Sequence, residues 1–132
     1  MYPLSLSRTL PTHRQADCFV STASDYLTEH PEYGWMVTAP SMSPEHGPSG
    51  EDTKKASTIV AGCTMDNQII FDVLSNALHA SRILKMSASY QDSLRSMLNR
   101  LAPMQIGKYN QLQEWLEDLD NPNDKHLSLI HI

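Results

Sequence analysis

Apolar residues recur at helical spacing in three stretches of the chain, and between the first two the pattern breaks completely. Over residues 16–29, Phe19, Val20, Ala23, Tyr26 and Leu27 fall on one face of a 3.6-residue period, which predicts a helix. His30-Pro31 closes it, because the residue before a proline is pushed out of the α region. A second stripe of Met65, Ile69, Ile70, Val73, Leu74, Ala77, Leu78 and Leu84 predicts a helix capped at Thr64 or Asp66. Phe71 lies off that stripe, so this helix is expected between neighbours and not on a surface. A third helix is predicted over residues 87–102, with Tyr90, Leu94, Met97, Leu98 and Leu101 as core and Pro103 as its stop. The later segment "QLQEWLEDL" reads equally as a short helix or an extended arm. The expected class is all-α, with helices joined by long loops.

The break from residue 32 to residue 62 carries the candidate chemistry. A short apolar piece, "YGWMVT", leads into a connection rich in proline, glycine and serine, and loops of that length are uncommon inside compact domains unless they are functional or mobile. Residues 47–57 read as the mobile part. Just before them, "WMVTAPSMSPEHGP" sets three prolines and three small hydroxyl residues, Thr38, Ser41 and Ser43, around one carboxylate, Glu45. Glu45 reads either as a solvated loop acid or as a general acid. For the second role, Pro44 fixes its own φ and restricts Ser43, which limits how far the acid swings. A partly apolar cleft walled by Trp35 and Met36 would raise its pKa enough to donate a proton near neutral pH.

Length and charge narrow the choices. With 132 residues the chain is about one domain long. A net charge of −5 with ten scattered Lys and Arg leaves no basic stripe for a phosphate backbone, so nucleic acid is not an expected partner. No run of about 18 apolar residues is present to span a membrane, and the first residues lack the apolar core of a signal peptide. Cys18 and Cys63 have no CxxC spacing and read as free thiols, with a disulfide as the alternative. Six histidines show no HExxH or other paired spacing, and there is no GxSxG, P-loop or GxGxxG, so no metal, cofactor or nucleophilic triad is expected. Tyr33, Trp35, Tyr109 and Trp115 read as core pieces or as sugar-stacking platforms. Asp66 reads as a helix cap, and Glu114, Glu117, Asp118, Asp120 and Asp124 as a solvated face.

Three blocks taken together, "YGWMVTAPSMSPEHGP", "TMDNQIIFDVLSNALHASRIL" and "IGKYNQLQEWLEDLDNPNDKH", resemble in order and spacing the central part of the inverting α-L-fucosidases of glycoside hydrolase family 95. The resemblance covers residues 16–126. It implies an (α/α)6 barrel of paired helices around a sugar pocket, of which this chain would be an internal fragment. It implies hydrolysis of terminal α-L-fucosyl linkages, in some members α-L-galactosyl ones, with a fucosylated glycan as substrate. Glu45 falls on the family's general acid, and His126 on the start of a His-rich motif lining the sugar pocket. Trp35 is expected to contact substrate. The base side, an Asp downstream and an Asn pair upstream, has no counterpart here, so the isolated chain is expected to be inactive. Residues 1–15 stay unassigned, since "SLSRTLPTHRQ" departs from the family pattern, and "LSLIHI" at 127–132 reads as a non-family tail. The resemblance also implies export to the periplasm or outside the cell. The competing reading is a noncatalytic helical module that binds carbohydrate or a partner.

Overall fold

The computed structural model describes residues 13–44, 47–48 and 58–122. Glu45 and His126, two of the three expected site residues, lie outside the described residues, as do His46, Asp124 and residues 49–57 of the long connection.

Three helices and one hairpin make up the regular structure. They are α1 (His13–Tyr26), β1 (Leu27–Glu29), β2 (Met36–Thr38), α2 (Thr64–Ile83) and α3 (Ala88–Arg100). The all-α expectation is therefore corrected by a two-stranded antiparallel sheet, in which Leu27 faces Thr38, Thr28 faces Val37 and Glu29 faces Met36. The first helix ends at Tyr26, before His30-Pro31 is reached. Leu27, Thr28 and Glu29 leave the helical hydrogen-bond pattern and pair with the returning strand instead. The turn between the strands closes with bonds from His30 N to Trp35 O (2.8 Å) and Gly34 N to His30 O (2.9 Å). Gly34 sits there at φ 68°, a conformation that favours glycine.

α2 presents Asn67, Ile70, Leu74, Leu78 and Ser81 as one buried face, spaced by three or four residues. Its C-terminus closes in a Schellman turn, with Lys85 at φ 53° and bonds from Lys85 N to Arg82 O (3.2 Å) and Met86 N to Ser81 O (2.9 Å). α3 begins at Ala88, after the N-cap Ser87, whose hydroxyl accepts the Tyr90 N–H at 3.3 Å. The main core joins Val20 of α1, Ile70, Leu74 and Leu78 of α2, Leu94 of α3 and Leu101, with Tyr90, Met97 and Leu98 packed against it. Leu74 and Leu94 are fully buried, and each such side chain contributes about 1.5–3 kcal/mol relative to exposure. The outer side of α2 is open, with Ile69 and Phe71 exposed among the described residues.

A second, smaller cluster of Val37, Ala102 and Leu116 carries Trp35 and Ala61 on its edge. It ties β2 to the irregular segment that follows α3. Ala102 N donates to Met36 O (3.1 Å), and the Asn67 amide donates to Ala102 O (2.6 Å). "QLQEWLEDL" is neither of the expected alternatives in full. It is an irregular segment whose start pairs back through an isolated bridge between Ile106 and Leu112, while Trp115 and Leu116 are buried.

Candidate active site

The loop that leads to Glu45 leaves β2 at Thr38, passes a cis Ala39–Pro40 bond and is then fastened at two alternate residues. Ser41 and Ser43 are each 3% exposed, whereas Met42 between them is 54% exposed. This is the two-residue alternation of extended chain, with both hydroxyls turned inward.

Ser41 is the first fastening. Its backbone pairs with Val60 in both directions at 2.8 Å, bringing the two ends of the long connection side by side. Its hydroxyl donates to Asp66 Oδ2 at 2.7 Å and accepts the Cys63 N–H at 3.0 Å, and the Thr38 hydroxyl also donates to Asp66 Oδ2 at 3.4 Å. Asp66 is therefore not the cap of α2. The N-cap position is Cys63, whose side chain makes no cap bond, and the free Thr64 N–H is taken instead by Glu114 O at 2.9 Å. Gly62 makes this approach feasible. It donates to Thr38 O at 2.8 Å with φ at 67°, and a Cβ there would stand 3.1 Å from Val37 Cγ1.

Ser43 is the second fastening. Its hydroxyl donates to Glu114 Oε1 in a buried contact. Glu114 is held in turn, since its N–H donates to the Asp120 carboxylate at 3.2 and 3.4 Å, and Gln111 Nε2 donates to Asp120 Oδ2 at 2.7 Å. Thr64 Oγ1 donates to Gln113 O beside it. The acidic segment expected as a solvated face is thus partly interior, with Glu114 at 8% and Asp120 at 6% exposure. Of the described acids in this segment only Glu117 is exposed, while Asp118 is half-buried and accepts the Lys108 N–H at 2.7 Å. The signal for this in the sequence was the S-x-S spacing of residues 41 and 43, which points both hydroxyls to one side. Their carboxylate partners left no such trace.

Cys63 lies under the same loop, with its thiol donating to Met42 O at 3.5 Å. Burial pushes its pKa above the ordinary thiol value, with the Asp66 charge adding to the rise and hydrogen bonds from Ser41 and the Asp66 backbone opposing it. Both cysteines are free thiols, Cys18 exposed and Cys63 buried. Among the described residues no group of three His, Cys, Asp or Glu side chains is arranged to hold a metal. Among the same residues no helix is long and apolar enough to cross a membrane.

Trp35 is the one expected site residue that is described. It stands at the end of the hairpin, half-buried, with its ring stacked on Tyr33 at 4.9 Å, and Tyr33 stacked on His30 at 4.8 Å. Met36 packs against the main core. Beside the fastened loop, an open depression of about 380 Å³ is lined by Tyr26, Pro40, Ser41, Met42, Ile59 and Asp66. An apolar groove of about 270 Å³ between α1 and α2 adjoins it, sharing Tyr26 and Asp66.

Residues 5–132 match the model of the "Glycosyl hydrolase family 95 catalytic domain", a span that takes in all of the described structure. Over 101 residues the chain is 33% identical to "Probable alpha-fucosidase A" of Aspergillus niger, covering 75% of this chain and 12% of that relative. Over 100 residues it is 33% identical to "Alpha-L-fucosidase 2" of Arabidopsis thaliana, with the same two shares. This chain thus spans only 12% of the length of these curated relatives. The pinned proline loop, the hairpin and the three helices all lie inside the matched span, and the chain belongs to glycoside hydrolase family 95.

Proposed function

We propose that this chain is part of the catalytic domain of an inverting α-L-fucosidase, and that Glu45 is its general acid. The family match over residues 5–132 carries the reading, and both similar relatives are named as fucosidases. The substrate is a terminal α-L-fucosyl group on a glycan, with the α-L-galactosyl group, which differs at one exocyclic position, as the second candidate. The helices belong to an (α/α)6 barrel completed by residues beyond this segment. Trp35 and His126 line the sugar pocket.

In this mechanism the Glu45 carboxylic acid gives its proton to the glycosidic oxygen as the bond from that oxygen to the anomeric carbon breaks. A water on the opposite face of the ring attacks the same carbon and loses its proton to a base, so the products are β-L-fucose and the released alcohol. Acid and base must stand about 6.5–9.5 Å apart to leave room for that water. The base and the groups that orient the water are supplied from outside these 132 residues. Two features of the segment before Glu45 support the assignment. Ser41 and Ser43 are buried and bonded to carboxylates, and only Pro44, with its fixed φ, separates Ser43 from the acid. A proton donor must hold its place within fractions of an ångström, and a loop anchored so close to it supplies that restraint.

The test is Glu45→Gln in the fucosidase that carries this segment, assayed on an alkyl α-L-fucoside. Loss of general acid catalysis lowers turnover by about 10²–10⁴-fold. Undiminished turnover removes Glu45 from the chemistry.

A further inference from the structure

Glu114 was expected among solvated acids, yet it is buried and spends its carboxylate on Ser43, a residue 71 positions earlier in the chain. Taking a carboxylate out of water costs free energy unless hydrogen bonds replace its hydration, and an apolar residue at the same place would avoid that cost. What the carboxylate supplies instead is direction. It accepts the Ser43 hydroxyl hydrogen from one defined side, and that hydroxyl stands two residues before the acid of the proposed mechanism.

The support for Glu114 is itself well fixed. Its backbone is held at both ends, with its carbonyl on the Thr64 N–H at the start of α2 and its own N–H on Asp120. The carboxylate thus sits on a platform tied to the longest helix of the described chain. On the other side of the contact, Ser43 is followed by Pro44, whose ring fixes one of the backbone torsions between the fastened hydroxyl and residue 45.

We infer that Glu114 is a positioning residue for the proton donor, acting through the hydroxyl of Ser43. This rests on the proposed role of Glu45. Such a residue does not touch substrate; its effect appears only where the reaction depends on a well-placed proton.

The experiment compares two substrates of the full-length enzyme that carries this segment. An alkyl α-L-fucoside leaves as a poor leaving group and needs the proton, whereas α-L-fucosyl fluoride leaves with little help. Ser43→Ala and Glu114→Ala are expected to lower kcat/KM on the alkyl fucoside by about 10–100-fold, because a misplacement of about 1 Å costs that much. On the fluoride the same variants stay within about threefold of wild type, since the general acid contributes little there. Glu114→Gln, which keeps an acceptor for the Ser43 hydroxyl, restores most of the activity on the alkyl fucoside. Equal losses on both substrates, or no loss on either, overturn the inference. Ser43→Ala carries the test should Glu114→Ala fail to fold. Glu45→Gln, run in parallel, separates the two claims. If it lacks the same substrate selectivity, the general-acid reading fails and takes this inference with it. If it has the selectivity while Ser43→Ala and Glu114→Ala do not, only the positioning role is lost.

Discussion

Around Leu74 and Leu94 the chain is held by apolar side chains in contact, whereas around Ser41 and Ser43 it is held by hydroxyls bonded to the carboxylates of Asp66 and Glu114. The two regions meet at α2, whose middle builds the apolar core and whose first turn receives the polar loop. Apolar contact is non-directional and tolerates small shifts, but a hydroxyl–carboxylate bond fixes an angle as well as a distance. The first kind of contact gives the segment its stability. The second gives one loop its aim.

Mutations on the two sides are therefore expected to fail in different ways. The largest stability loss belongs to the apolar side. Leu94→Ala removes a side chain with no exposed surface and is expected to destabilise by about 2–5 kcal/mol in urea unfolding of the enzyme that carries this segment. A loss below about 0.5 kcal/mol, within the range of ordinary surface changes, would show that the core around Leu94 is not the main support.

A smaller effect is expected from Cys63, which lies on the polar side. Its folded pKa is raised, chiefly by burial, so the thiol's contribution to stability is intact below the unfolded pKa and is lost as pH rises through the folded value. Wild type should lose unfolding free energy more steeply above about pH 8.5 than Cys63→Ala does. Alkylation by iodoacetamide should also be faster at the exposed Cys18 than at the buried Cys63. Parallel pH curves for the two proteins, or equal alkylation rates, would mean that the loop does not cover Cys63.

The same contrast explains what could be read from the sequence. The helical side was legible because helical burial has a period. Tyr90, Leu94, Met97, Leu98 and Leu101 were expected in the core and are found there, and α2 forms where the second stripe predicts a helix, although its N-cap is Cys63 and neither Thr64 nor Asp66. The end of α1 was not legible, because Leu27–Glu29 are paired by a strand nine residues on and no local signal distinguishes that from another helical turn. Asp66 lies inside the first turn of α2, past the N-cap Cys63, and its partners, Thr38 and Ser41, come from the end of β2 and the loop after it, more than twenty residues earlier. Glu114 and Asp120 carry no mark of burial at all. Irregular chain has no period, and whether a carboxylate there is solvated depends on a hydroxyl that folding brings from far away. At the candidate site, the stiffness before Glu45 was attributed to its prolines. The structure adds Ser41 and Ser43 as the fastenings.

The central claim is that the polar side of the molecule serves Glu45, and a double-mutant cycle tests it most directly. kcat/KM on an alkyl α-L-fucoside is measured for wild type, Ser43→Ala, Glu45→Gln and the double variant of the full-length enzyme. If Ser43 acts through the proton donor, removing its hydroxyl costs about 10–100-fold in wild type and almost nothing once the donor is already gone. Losses that multiply, with Ser43→Ala as costly in the Glu45→Gln background as in wild type, would contradict the account.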